Sequence, residues 1–342
     1  MTEEFTLLQD LASRTFGGGI VYANDEFFAA ADHLLAPAPP TFTPRTFDHR
    51  GQVYDRWETR RRREPGSDHA IIRLGTPGLI HGIDIDTAFF TGNYPTYAAV
   101  DGCAIDGFPS AATLAAADWE PIVARSPLHG DSRNLFPTDV KRRFTHVRLT
   151  IYPDGGVARL RVHGEVVPDP RLLPAVFDVA AAEHGGRVVG CSNMFYGHPG
   201  NMLAPGLAQS MGDGWETSRR RDDGNDWVLV KLAVPAVIDL ADLDTRWFKG
   251  NVPAKASLRG MDVRSGSLDD PAGWIELLPP VPLAPDTPHR FPLAAAPAVS
   301  HVRLDIFPDG GMARLRLHGR PDAAGAAALH SRFELFPDPC RD

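Results

Sequence analysis

The sequence is written twice. Residues 57–66 read WETRRRREPG and residues 215–224 read WETSRRRDDG, with seven of ten positions identical at an offset of 215 − 57 = 158. Residues 146–164 (HVRLTIYPDGGVARLRVHG) and 301–319 (HVRLDIFPDGGMARLRLHG) agree at fifteen of nineteen positions, at an offset of 155. A weaker correspondence joins Gly18, Phe27, Phe28, Leu35 and Pro37 to Gly186, Phe195, Tyr196, Leu203 and Pro205. A repeat of about 150 residues is the size of a domain, not of a solenoid turn. The chain is therefore expected to form two similar domains, 1–170 and 185–325, with a proline-rich linker at 171–184 and a tail at 326–342.

Composition narrows the class. Of the 342 residues, 43% are hydrophobic, enough for two cores, and the formal net charge of −8 argues against a nucleic-acid binder that relies on a basic surface. No apolar run reaches the length of a membrane-spanning helix. The opening MTEEFTLLQDLASRTF lacks the basic and apolar regions of a secretory signal. Three scattered cysteines, Cys103, Cys191 and Cys340, fit a reduced, cytoplasmic protein without a disulfide framework. No metal-ligand set stands out, and a metal requirement stays open.

Strand signals dominate. Apolar residues alternate with polar ones on both sides of the Pro-Asp-Gly-Gly turn at 153–156, which predicts a hairpin over 146–163. Pairing Tyr152 with Val157 sets His146 opposite His163, Arg148 opposite Arg161 and Thr150 opposite Arg159. Opposed arginines need an anion nearby, either an aspartate of a neighbouring strand or a substrate carboxylate. Further strands are predicted at 69–75, 79–86, 227–233 and 236–244, and helical patterns at 5–14, 110–117 and 171–183. Thirty-one prolines and thirty-two glycines suit short strands joined by loops. Two all-β sandwiches of the jelly-roll kind account for this best.

Three repeated constellations carry chemical potential. Trp-Glu-Thr followed by arginines gives Glu58, Arg61 and Arg62 in the first copy and Glu216 and Arg220 in the second. Such an arginine run is either a solvated loop or a fork for a planar carboxylate or ureido oxygen. Asp84 and Asp86, one residue apart, share a strand face, so one carboxyl can be pushed into a range useful for acid–base work. They are followed by Thr87 and, in a Gly-Asn turn, Asn93. The second copy repeats this as Asp242, Asp244, Thr245 and Asn251. The copies part at His81 (Asp239), Ala88 (Arg246), Phe89 (Trp247) and Thr91 (Lys249).

In these motifs, in this order and twice over, the chain resembles the allantoicases (allantoate amidinohydrolases). Gly18 to Phe28, Trp57 to Arg62, Asp84 to Pro95 and His146 to Gly164 carry the resemblance, with the second set between 186 and 319. It implies two galactose-binding-like jelly rolls. The implied activity is that of a hydrolase of C–N bonds in linear amidines, converting allantoate to ureidoglycolate and urea in purine (allantoin) breakdown. On that reading Asp86 and Asp84 are acid and base, with His81 as proton partner. Arg61, Arg62 or the Arg148–Arg161 pair hold the substrate carboxylate, and Thr87 and Asn93 bind a ureido group. Only the first copy has the histidine, which makes it the preferred site. Partners are expected to be allantoate and further copies of the chain, not nucleic acid or membrane. The alternatives are a tandem β-sandwich that binds a ligand without catalysis, or a hydrolase of a related ureido or amidino compound.

Overall fold

In the computed structural model, which describes residues 4–48, 51–53 and 55–335, strands predominate. The chain forms two units, one running to Val167 and the other from Pro168 to Leu335. The two strands expected at 69–75 and 79–86 are one nineteen-residue strand, Asp68–Asp86. Its first part pairs with Gly19–Ala23 on one side and Arg143–Tyr152 on the other. Its last part pairs with Arg133–Pro137 and Arg159–Val166. Changing partners at mid-length lets a single strand serve both ends of a sandwich.

The first unit orders its strands Gln9–Asp10, Arg159–Val166, Asp68–Asp86, Arg143–Tyr152, Tyr97–Cys103, Glu120–Pro127, all antiparallel. Inward-facing residues of these strands, among them Ile72, Ile83, Ile85, Val147, Leu149, Leu160 and Val162, are fully buried together with Trp57. The second unit repeats the order with Phe177–Asp178, Arg314–Pro321, Asp226–Asp244, Val299–Phe307, Lys255–Met261 and Ile275–Pro282. This is the expected all-β pair of jelly rolls.

The predicted hairpin is not formed. Asp68–Asp86 lies between its two arms, so His146 faces Arg73, Arg148 faces Ile71, and Arg161 faces Asp84. The turn fails to close a hairpin because its residues are engaged elsewhere. Gly156–Val157 pair with Trp57–Glu58, and the Thr59 hydroxyl both donates to Gly155 O and accepts from Gly155 N–H. Asn93 O accepts the Gly156 N–H from the other side. Repeating the same contacts, Trp215–Glu216 pair with Gly311–Met312 in the second unit.

Two helical expectations are also overturned. Residues 5–14 hold a 3-10 turn, Glu4–Leu7, and then the edge strand Gln9–Asp10, because the Asp10 carboxylate accepts the N–H groups of Ala12 and Val162 and ties the segment to the sheet. In the segment 171–184, expected as linker and helix, Phe177–Asp178 pairs with Arg314–Pro321, and the Asp178 carboxylate accepts from Ala180 and Leu317 in the same way. The third is a short helix, Ala111–Ala115, capped by Ser110. Ala323–Glu334, not anticipated, is a helix capped by Asp322 that buries Phe333.

Candidate active site

The last turn-ward part of the long strand places Gly82, Asp84 and Asp86 on one face and Ile83 and Ile85 in the core, as period-two geometry requires. On the neighbouring strand Arg159 stands opposite Asp86, Arg161 opposite Asp84 and His163 opposite Gly82. Arg133 and Leu135 face Asp86 and Asp84 from the other side. Gly82 is required here: a Cβ would come within 2.2 Å of the Phe5 ring, which packs 5.9 Å from the His163 ring. Together with Asp10, these polar side chains line a cleft of about 460 Å³ walled by Leu8, Pro37, Pro39 and Pro40.

Most charges in the cleft are spoken for. Arg159 is 2% exposed, and its guanidinium donates to Ala38 O, Asp55 O and the Asp55 carboxylate. Arg161 donates to Asp10 at 3.3 Å and to Pro37 O at 3.3 Å. Burial raises the Asp10 carboxyl above the usual carboxylate range, opposed by the Arg161 charge. Asp84, 2% exposed, is held by Arg133 through Nε at 2.8 Å and Nη2 at 2.6 Å.

Two groups are left over. Asp86 accepts the Ala88 N–H at 2.8 Å but has no salt-bridge partner among the described residues. Burial, with the Asp84 charge added, raises its carboxyl above the ordinary value despite Arg133 and Arg159 nearby. His163 Nδ1 lies 3.0 Å from Leu8 O, which fixes it as the donor. Its buried Nε2 has no hydrogen-bond partner. A carboxyl with a raised pKa and an oriented imidazole lining one cleft with guanidinium groups are residue types suited to acid–base chemistry on an anionic small molecule.

The other residues singled out from the sequence are placed differently. His81 sits at a bulge of the long strand, its Nε2 3.9 Å from Glu165, and does not line the cleft. Thr87 is fully buried and donates to His129 O and Ser132 O. Asn93 donates to Glu58 at 2.7 Å, an internal pair, and burial raises the Glu58 carboxyl. Arg62 pairs with Asp68 at 2.7 Å and its N–H binds Asp154, while Arg61 is exposed. Arg148 lies on a different strand from Arg161, paired with Asp101 at 2.9 Å and over the Trp119 ring. Asp10, Arg133, Arg159 and His163 are charged or titratable cleft residues that the sequence did not single out as site residues. The alternation RLRVHG at 159–164 already aligned His163 with Arg161, but the incorrect hairpin paired it with His146.

In the second unit every counterpart is paired within the chain. Asp244 is gripped by Arg246, with Nε 2.8 Å and Nη2 2.5 Å from Oδ2. Asp242 has Arg290 at 3.3 Å and His318 Nε2 at 3.5 Å. Asn251 donates to Glu216 at 2.5 Å, Thr245 to Ala284 O, Arg220 to Asp226 and Asp222, and Lys249 lies 3.7 Å from Asp286. Among the described residues, no group of three or more His, Cys, Asp or Glu side chains is arranged to hold a metal ion, and no helix is long and apolar enough to cross a membrane.

Fold and cleft define a tandem jelly-roll protein whose first unit carries a polar cleft lined by aspartates and arginines. The family model described as "Allantoicase repeat" matches residues 9–167 and 177–322. A relative from Nocardia farcinica named "Probable allantoicase" is 56% identical over 319 residues, 92% of this chain and 95% of its own. One of the same name from Streptomyces coelicolor is 48% identical, over 92% of this chain and 86% of its own. The crystal structure of allantoicase from Saccharomyces cerevisiae superposes with a TM-score of 0.77 at 33% identity, covering 91% of this chain and 92% of that one. The chain belongs to the allantoicase family.

Proposed function

We propose that the protein hydrolyses allantoate to ureidoglycolate and urea, the step of allantoin breakdown that its family performs, and that the reaction takes place in the cleft of the first unit. The observation that supports this cleft is that it holds Asp86, a carboxyl without a salt bridge among the described residues, and His163, whose buried Nε2 has no hydrogen-bond partner.

Allantoate carries one carboxylate and two ureido groups on a single carbon. The remaining N–H donors of Arg161 and Arg133 suit its carboxylate, since Arg161 spends only long contacts on Asp10 and Pro37. Expelling urea requires a proton on the departing nitrogen, and hydration of the resulting centre requires removal of a proton from water. Asp86 and His163 divide these transfers. The Nδ1–H bond to Leu8 O fixes the imidazole and leaves Nε2 without a hydrogen-bond partner in the chain. Asp84, locked by Arg133, supplies fixed negative charge beside Asp86 and favours the form of Asp86 that carries a proton.

The test is incubation of the purified protein with allantoate while urea and ureidoglycolate are followed together. Equal release of both is expected. Absence of urea overturns the reaction, and undiminished turnover by both Asp86→Asn and His163→Asn overturns the site.

A further inference from the structure

We infer that Arg246 occupies, in the second unit, the position that a ureido group of the substrate takes in the first, and hence that Asp86 is the residue that grips this group through two parallel N–H bonds. The inference rests on the proposed reaction for the identity of the ligand, but its geometry comes from comparing the two copies.

The loops that follow the paired aspartates are built alike. Asp86 Oδ1 accepts the Ala88 N–H at 2.8 Å and Asp244 Oδ1 accepts the Arg246 N–H at 2.9 Å. The Thr87 hydroxyl donates to His129 O at 2.6 Å and Ser132 O at 3.0 Å; that of Thr245 donates to Ala284 O at 2.7 Å and Thr287 O at 2.9 Å. Phe89 and Trp247 both hold positive φ, 67° and 73°, and their N–H groups both donate to an aspartate at 2.8 Å, Asp131 and Asp286. With the backbone so constrained, the side chain two residues after the aspartate starts from the same point in each copy. In one it is a methyl group and in the other a guanidinium.

That guanidinium presents Nε–H and Nη2–H to Asp244 on one edge, with Nε at 3.0 and 2.8 Å from the two oxygens and Nη2 at 2.5 Å from Oδ2. An alkyl ureido group, R–NH–CO–NH₂, offers the same edge. Its substituted N–H and one terminal N–H point in parallel away from the carbonyl oxygen. A carboxylate that binds the first in a fork can bind the second likewise. The neighbouring groups follow the same division. His318 Nε2 lies 3.5 Å from Asp242, whereas His163 Nε2 is bare. Pro288 stands opposite Asp244 where Arg133 stands opposite Asp86. At the position of the first copy's Asp86, the second unit supplies a guanidinium from its own chain, and the first supplies none.

The grip also orders the chemistry. The substituted N–H held by Asp86 belongs to the ureido group that stays. As its proton passes to the carboxylate, the nitrogen lone pair forms a C=N bond and the C–N bond to the other ureido group breaks. Protonated His163 gives its proton to the departing nitrogen, releasing urea. Water then adds to the carbon, His163 Nε2 takes a proton from it, and Asp86 returns its proton to nitrogen. Both residues end as they began.

The experiment measures binding without turnover, using N-carbamoylglycine, which has one carboxylate and one ureido group, against N-acetylglycine, which lacks the terminal N–H. Calorimetry on the wild type is expected to show a preference of at least about tenfold for the carbamoyl compound. Ala88→Arg is expected to lose that preference, with an unchanged or higher Tm because its guanidinium closes on Asp86. Ala88→Met, of similar bulk but without donors, is expected to keep affinity within about threefold. No preference in the wild type, or equal losses in the Arg and Met variants, would overturn the inference. Urea release without the preference sinks the grip alone, and the preference without urea release sinks the reaction alone.

Discussion

Arg133 stands opposite Asp86 in the strand register, yet its guanidinium goes to Asp84, with Nε and Nη2 both on Oδ2. This diagonal reach neutralises the more buried of the two aspartates and leaves the other without an ion pair. Arg133→Ala removes the only hydrogen bonds to Asp84 among the described residues, whose Oδ1 is already buried and without a partner. Because Arg133 itself is half-exposed, the expected loss is about 1–3 kcal/mol, read by urea denaturation. On the proposed placement of the substrate carboxylate against this guanidinium, KM for allantoate should rise as well. An unchanged denaturation midpoint would show that the pair is not what permits a carboxylate at position 84.

His163→Asn keeps a donor toward Leu8 O but removes the basic Nε2. The expected result is a fall of about 10²–10⁴ in kcat with KM little changed. His81→Asn, away from the cleft, should have no comparable effect. A larger loss from His81 than from His163 would return the proton-transfer role to the residue that the sequence favoured.

Asn93 illustrates why repetition alone misleads. Its amide donates to Glu58, and Asn251 does the same to Glu216, so the pair recurs because both copies need the loop latched. Asn93→Ala leaves the buried Glu58 carboxylate with one donor fewer. The expected cost is about 1–2 kcal/mol in thermal or chemical unfolding, with the change appearing in Tm and not in KM. A KM effect at unchanged Tm would place Asn93 on the substrate.

The sequence displayed the duplication, the all-β class and the paired aspartates that line the cleft, because identity between copies and period-two alternation are local properties. Motifs such as Trp-Glu-Thr and Gly-Asn recur for folding as much as for chemistry, and a duplicated chain preserves both kinds alike. His163 was hidden by a long-range fact, the insertion of Asp68–Asp86 between two strands that read as a hairpin. Asp10, 153 residues before His163, reaches the site only through strand pairing. The most telling position was a difference: Ala88 against Arg246.

Asp86 ties activity to stability with opposite signs. Its folded pKa is raised by burial, so folding binds this proton more tightly than the unfolded chain does. The favourable contribution is complete below the unfolded value near 3.8 and is lost as pH rises through the folded one. Above its folded value the ionised carboxylate therefore opposes folding, and Asp86→Asn is expected to raise Tm at pH 7 while abolishing urea release. The advantage should vanish in acid, where wild-type Asp86 is protonated. A Tm that falls at pH 7 on this substitution would contradict the sign.

His146 makes the stability of the first unit depend on pH in the acid range. It is 1% exposed, its Nδ1 is 2.8 Å from the Thr145 hydroxyl, and burial with the Arg73 charge brings its pKa down from 6.5 to about 4. Above pH 6.5 the ring is neutral folded or unfolded. Between 6.5 and about 4 only the unfolded chain takes the proton, so stability falls with pH, by about 3 kcal/mol across the window. Its counterpart His301, hydrogen-bonded to Ser300 and also shifted down by burial, adds a second dependence of the same sign. Unfolding free energy measured from pH 7.5 to 4 should drop steeply in the wild type and less in His146→Gln, whose amide can keep the Thr145 contact without titrating. Equal slopes for the two proteins would show that His146 is already charged in the fold.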